Sequence, residues 1–296
     1  MTREGSTEAD GGVETTHGSA LDREGSTGAG TAARIATVAR LEYRLSLRNR
    51  WAFALTALFG LLAGLLAGFG GSGPGPVRVD AVIVSLASLA TYLVPLAALV
   101  YGFDAVVGAE ESGWLDIVFA FPVPRSWVVA GTALGRAATL AGATAVGFGV
   151  GGVVLFVRAG TVTWSLYATV LLGTVALGLA FLAMSVLVSS VAVEKTHALG
   201  VALLVWVWFV FGHDLVALGL VAWIELPPGV LSAFVLANPV DVFRVLVLSG
   251  IDSTGGGMAA VVANTDLSTP VLALAALAWI VAPVAVAARA VRRRSL

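Results

Sequence analysis

The sequence predicts an all-α integral membrane protein: six transmembrane helices, an amphipathic helix ahead of them, and two short outer helices between the fifth and the sixth. Three observations carry this. Of 296 residues 58% are hydrophobic and 12% charged, far from the roughly 45–50% apolar and 25% charged usage of a soluble domain. Six stretches reach the about 20 apolar residues that a helix needs to cross a bilayer. The basic residues gather at the two ends of that series.

Residues 1–33 hold six acids against two arginines in a Gly/Ser/Thr-rich setting, with REGST at Arg3–Thr7 repeated at Arg23–Thr27. Such a segment cannot bury a core and is expected to be disordered; it also lacks the apolar centre of a secretory signal. The membrane domain is expected over 34–296. It opens with Ile35, Val38, Leu41 and Leu45 at spacings of three and four, beside a separate stripe of Arg40, Arg44 and Arg48. That pattern suits a helix at the headgroup interface, either an in-plane elbow or an extension of the first span.

The spans are expected at 51–69, 81–103, 137–157, 164–189, 198–224 and 270–288. Gly60, Gly64 and Gly68 repeat every four residues along the first, a ridge that lets another helix approach closely. Gly68, Gly70 and Gly73 also spell G-x-G-x-x-G, but no strand precedes them, so a dinucleotide site is not indicated. With both termini in the cytoplasm, 14 of the 17 Lys and Arg fall inside and only Arg78, Arg158 and Arg244 outside, as the positive-inside rule requires. The long outer connection between spans five and six is too apolar for a plain loop. Val230–Ala237 and Val240–Ser249 read as two short helices broken at Asn238-Pro239, each too short to span.

Chemistry is sparse. Cysteine is absent, which removes disulfides, thiolate zinc and iron–sulfur clusters. Neither H-E-x-x-H nor G-x-S-x-G occurs, and the one lysine, Lys195, is not in a phosphate-binding loop, so this chain is expected to be non-catalytic, with no cofactor of its own. His213 and Asp214 are the ionisable pair inside a span, and intramembrane charges are functional candidates by default. A satisfied structural pair between helices is the competing reading. One imidazole and one carboxylate fall short of a metal ligand set, and no metal is expected.

The connection between spans two and three, Asp104–Arg136, is the most informative. Glu110–Phe121 mixes acids with Trp114, Leu115, Val118 and Phe119 between Gly108 and Pro122. It reads as a helix of about three turns, apolar yet too short to span, which points to a protein partner or the membrane surface.

This segment resembles the coupling region of ABC-2 exporter permeases, in which E-x-x-x-G precedes an apolar run, P-x-x-R and G-K. Glu110 or Glu111, Gly113, Trp114, Pro122 and Arg125 stand at or within the matching stretch; Gly131 follows, with Thr132 where the family has lysine. The resemblance covers 34–296 and implies a homodimer whose short cytoplasmic helix docks on a separate ATPase that carries ATP and Mg. Within that family, Phe103–Gly113, Asp214-Leu215 and above all NPVDVFRVL at Asn238–Leu246 look like NosY-type permeases, which serve copper–sulfur centre maturation of nitrous oxide reductase. That likeness implies a NosF-type ATPase inside and a NosD-type β-helix protein outside, the latter touching the outer helices through Asn238, Pro239, Asp241 and Arg244. The location implied is the cell membrane; nothing points to nucleic acid. With no Cys and few Met, a relay of soft copper ligands is not expected.

Three alternatives stay open from the sequence: an ABC-2 exporter of a drug, lipid or peptide, an ATP-independent secondary transporter, and an assembly anchor. The second is disfavoured because no repeat relates the two halves.

Overall fold

A computed structural model describes residues 21–48, 50–70, 78–112, 124–160, 164–223, 227–248 and 267–293. In chain order the described elements are α1 (Leu21–Arg48), α2 (Trp51–Phe69), α3 (Val79–Gly102), α4 (Val107–Glu111), α5 (Arg125–Ala159), α6 (Trp164–Val191), α7 (Lys195–Val207), a π-helical turn (Trp208–Gly212), α8 (His213–Trp223), α9 (Pro228–Leu236), α10 (Pro239–Leu248) and α11 (Thr269–Arg293). Six helical stretches among the described residues are long and apolar enough to cross a membrane: α2, α3, α5, α6, α7 with its continuation into α8, and α11.

The arrangement follows from which helices are apolar all round. α6 carries no charge and little polar character on any face, so it takes the centre, with 67% of its apolar stretch buried. Phe181, Leu182, Leu177 and Val170 pack there with Leu86, Val94 and Leu99 of α3 and Leu140 of α5. α2 lies against α5 at short range. A methyl group built on Gly147 would meet the Phe59 Cβ at 2.6 Å and Gly60 N at 3.1 Å, whereas one on Gly60 would stand 3.6 Å from Val150. The expected glycine ridge of α2 does face a neighbour, but the position with no room to spare is its counterpart on α5.

Two boundaries differ from expectation, and a third decides between the two readings left open for the amphipathic helix. α1 begins at Leu21, so residues 21–33 are helical rather than disordered. Once the amphipathic part is nucleated, each further residue adds a hydrogen bond, and Ala32 and Ala33 favour that extension; residues 1–20 lie outside the described set. α1 and α2 are separate helices, with Arg50 between them at φ 60°, which excludes a simple straight extension of the first span. α5 starts at Arg125, twelve residues before the expected span. Arg136 made the sequence look broken there, but its charge is matched within the fold.

α9 and α10 turn through 108° at Ala237-Asn238, so the pair doubles back. α10 does not rest on the surface. Val240, Phe243 and Val247 join the main core, while Val242 and Val245 pack with Val235 of α9 and Leu272 of α11.

Candidate functional site

At the end of the bundle where α1 packs, α1, α3, α4 and α5 meet around Arg136. Its Nε donates to Glu42 Oε1 at 2.9 Å, and Nη1 to Asp104 Oδ1 at 2.6 Å and to the Tyr101 carbonyl at 2.7 Å. Tyr101 in turn donates its hydroxyl to Ser46 Oγ at 2.6 Å. α1 is thereby tied to the helices beneath it by charge, a use that its basic stripe did not suggest. Glu42, Ser46, Trp51, Asp104, Arg136 and Lys195 help line a cleft of about 410 Å³ here.

Of the coupling residues expected from sequence, Glu110 and Glu111 end α4. Ser189 Oγ accepts the N–H groups of Val106 and Val107 at 2.9 and 3.1 Å, holding the first turn of α4 against α6. Glu111 Oε1 accepts the backbone N–H of Lys195 at 2.8 Å, and Oε2 lies 3.8 Å from Lys195 Nζ. A carboxylate therefore caps the start of α7, where the helix dipole favours negative charge. Gly113, Trp114 and Pro122, with the rest of the expected helix to Phe121, lie outside the described residues. Arg125 opens α5, its side chain likewise undescribed.

The second polar centre is buried between α8 and α10. Asn238-Pro239-Val240-Asp241 is a sequence built to start a helix: Asn at the cap, Pro first, an acid in the first turn. Asn238 Oδ1 accepts Val240 N–H at 2.9 Å. Its Nδ2 donates to Asp241 Oδ2 at 3.1 Å and to the Phe209 carbonyl at 3.0 Å. Phe209 sits in the π-helical turn, where the bonding skips a residue and His213 N–H reaches Trp208 O. Such bulges are frequent at functional sites, and this one sets the direction of the two side chains that follow it.

His213 is 5% exposed, Asp241 1% and Asn238 0%. His213 Nδ1 stands 3.1 Å from Asp241 Oδ2, out of line for a hydrogen bond, and neither ring nitrogen has a hydrogen-bond partner. The ring lies 4.3 Å from that of Phe234. Asp214 Oδ2 accepts Arg244 Nη1 at 2.7 Å, and the same nitrogen is 3.2 Å from Asp241 Oδ1. Asp214 Oδ1 is buried without a partner. Two groups of residues that the sequence kept apart, the intramembrane pair and the outer-helix set, are thus one site. This corrects the outer-helix expectation: Asn238, Pro239 and Asp241 are buried, because they cap and anchor α10, and Arg244 alone of the four is partly exposed. Asp241 is also the third ligand-type group that sequence counting missed, since His213, Asp214 and Asp241 place ligand atoms within 4.8 Å of one another.

The description "ABC-2 family transporter protein" fits residues 36–296, almost the whole of the helical domain. The chain belongs to the ABC-2 transporter family. It is 36% identical over 269 residues to a probable ABC transporter permease protein NosY of Stutzerimonas stutzeri, covering 87% of this chain and 97% of that one. A protein of the same description from Pseudomonas aeruginosa is 37% identical over 274 residues, covering 88% and 98%. The two relatives are spanned nearly end to end, and this ABC-2 family member is a multi-pass membrane component of an ABC transporter.

Proposed function

We propose that the chain is a NosY-type permease subunit, working as a homodimer in the cell membrane with both termini cytoplasmic. The full-length similarity to the two permeases so described carries the reading, and the NPVDVFRVL run, now seen to build the capped, buried start of α10, supports it. A separate NosF-type ATPase binds ATP and Mg and closes on the cytoplasmic end, pushing on the segment after α4. The tie of Glu111 to the first residue of α7 gives that push a route into the span carrying His213 and Asp214. A NosD-type β-helix protein meets the outer surface, and the work supports copper–sulfur centre maturation of nitrous oxide reductase. Because Asn238 and Asp241 are buried, the proposed outer contact is assigned instead to exposed positions such as Gly229 and Val230 of α9.

Affinity purification of the tagged full chain from its native membranes tests this. Recovery of an ATPase in equal amount together with an extracytoplasmic β-helix protein is the expected result. An ATPase alone would shift the reading to an exporter of a drug, lipid or peptide, and no ATPase would overturn it.

A further inference from the structure

We propose that His213, Asp214 and Asp241 form a buried binding site for a divalent transition-metal cation of the zinc class, with Arg244 as the counter-charge that the cation displaces. This goes beyond the permease assignment and does not depend on the partners proposed above.

The donors of a cation ligand set are already gathered, and several of them are unpaired. One imidazole and two carboxylates offer ligand atoms within 4.8 Å of one another. Tetrahedral ligands around zinc are about 3.4 Å apart, from bonds of roughly 2.1 Å, so side-chain rotations that draw the atoms together by at most about 1.4 Å close the set. Three buried ligand-type atoms, both nitrogens of His213 and Oδ1 of Asp214, have no hydrogen-bond partner, which is costly for groups held away from water. Asp241 is already aimed by Asn238 Nδ2 at 3.1 Å, the outer-shell support that metal carboxylates use.

Charge gives Arg244 its part. Two carboxylates against one guanidinium leave the cluster one positive charge short when His213 is neutral. A divalent cation in place of the guanidinium makes the balance zero. Arg244 Nη1 bridges the same two carboxylates, at 2.7 and 3.2 Å, and its side chain is 23% exposed against 1% for Asp241, so it has a way out. Imidazole and carboxylate are borderline to hard donors; with no cysteine in the chain, a soft monovalent ion is poorly matched. No other charged side chain of the described residues takes part in the cluster's ion pairs.

The test uses the full chain, purified without a histidine tag, stripped with chelator and titrated with Zn²⁺ by calorimetry and with Co²⁺ by visible absorption. One ion per chain is expected, with Co²⁺ bands typical of low-coordinate nitrogen and oxygen ligation. His213→Ala and Asp241→Asn should each weaken binding at least 100-fold, whereas Arg244→Gln, which removes the competitor, should tighten it about tenfold. Equal binding by wild type and His213→Ala, or no stoichiometric binding, overturns the site. Weaker or unchanged binding by a monodisperse Arg244→Gln protein overturns the displacement.

Discussion

Arg136 and Asp104 form the shortest of the ion pairs described in this protein, Nη1 to Oδ1 at 2.6 Å, and the same nitrogen also holds the Tyr101 carbonyl at the last turn of α3. One guanidinium therefore joins α5 to α3 while its Nε reaches Glu42 on α1. Arg136→Met should release α1 and leave two carboxylates without a partner. Removal of one member of a buried pair costs ~3–5 kcal/mol, reduced here to about 2–3 because Asp104 is partly solvated. Arg136→Lys should recover little, since an ammonium cannot serve three acceptors in that fork geometry. Thermal unfolding in detergent, with trypsin cleavage at the arginines of α1, reads both.

Gly147 and Gly60 face each other with unequal room. Gly147→Ala drives a methyl into Phe59 and the α2 backbone, an overpacking of about 1–3 kcal/mol. Gly60→Ala meets only ordinary contacts and should be near neutral. The comparison is made by melting temperature of the two purified variants; equal shifts would remove the assigned asymmetry.

Asn238→Ala deletes three hydrogen bonds at once and strands the Phe209 carbonyl of the π-helical turn. The expected loss is about 2–3 kcal/mol, with faster amide exchange confined to α8 and the start of α10. Asn238→Asp keeps the cap on Val240 but adds a third carboxylate beside Asp241, so it should be no better.

Glu111→Gln retains an acceptor for Lys195 N–H and should lower stability by less than about 1 kcal/mol, as for an exposed pair. Glu111→Lys removes the cap and sets a cation at the start of α7, where the dipole opposes it. On the proposed coupling route, Glu111→Lys should abolish ATPase stimulation in the reconstituted complex while the permease still inserts. Unchanged stimulation would remove Glu111 from that route.

Absence of cysteine makes topology directly measurable. Ser112→Cys, exposed after α4, should react with an impermeant maleimide only from the cytoplasmic side, and Gly229→Cys, exposed on α9, only from outside. Labelling of Ser112→Cys in intact cells would invert the scheme.

The spans were legible because lipid imposes a length and a composition that a linear sequence displays directly. Where a charge found its partner far along the chain, sequence reading stopped short: Arg136 hid the first three turns of α5, because Glu42 and Asp104 are 94 and 32 residues away. The same holds for the buried site. His213 and Asp214 stood out at once, but Asp241 is brought to them by a 108° turn that Asn238-Pro239 announced only as a break. The spacing of Asp241 and Arg244, one helical turn apart within an otherwise apolar run, is the signal in the sequence, and by itself it fits an outer partner as well as a buried site. The π-helical turn has no sequence signature of its own.

The doubled-back α9–α10 pair is fastened on both sides of its bend. Trp279 of α11 donates its indole N–H to the Leu236 carbonyl at 3.0 Å, and Asn238 grips Phe209 of the fifth span. The hairpin is therefore a tie-rod between the last two crossings: they cannot spread apart on that side without snapping one fastening, and a tilt of either must drag the histidine pocket with it.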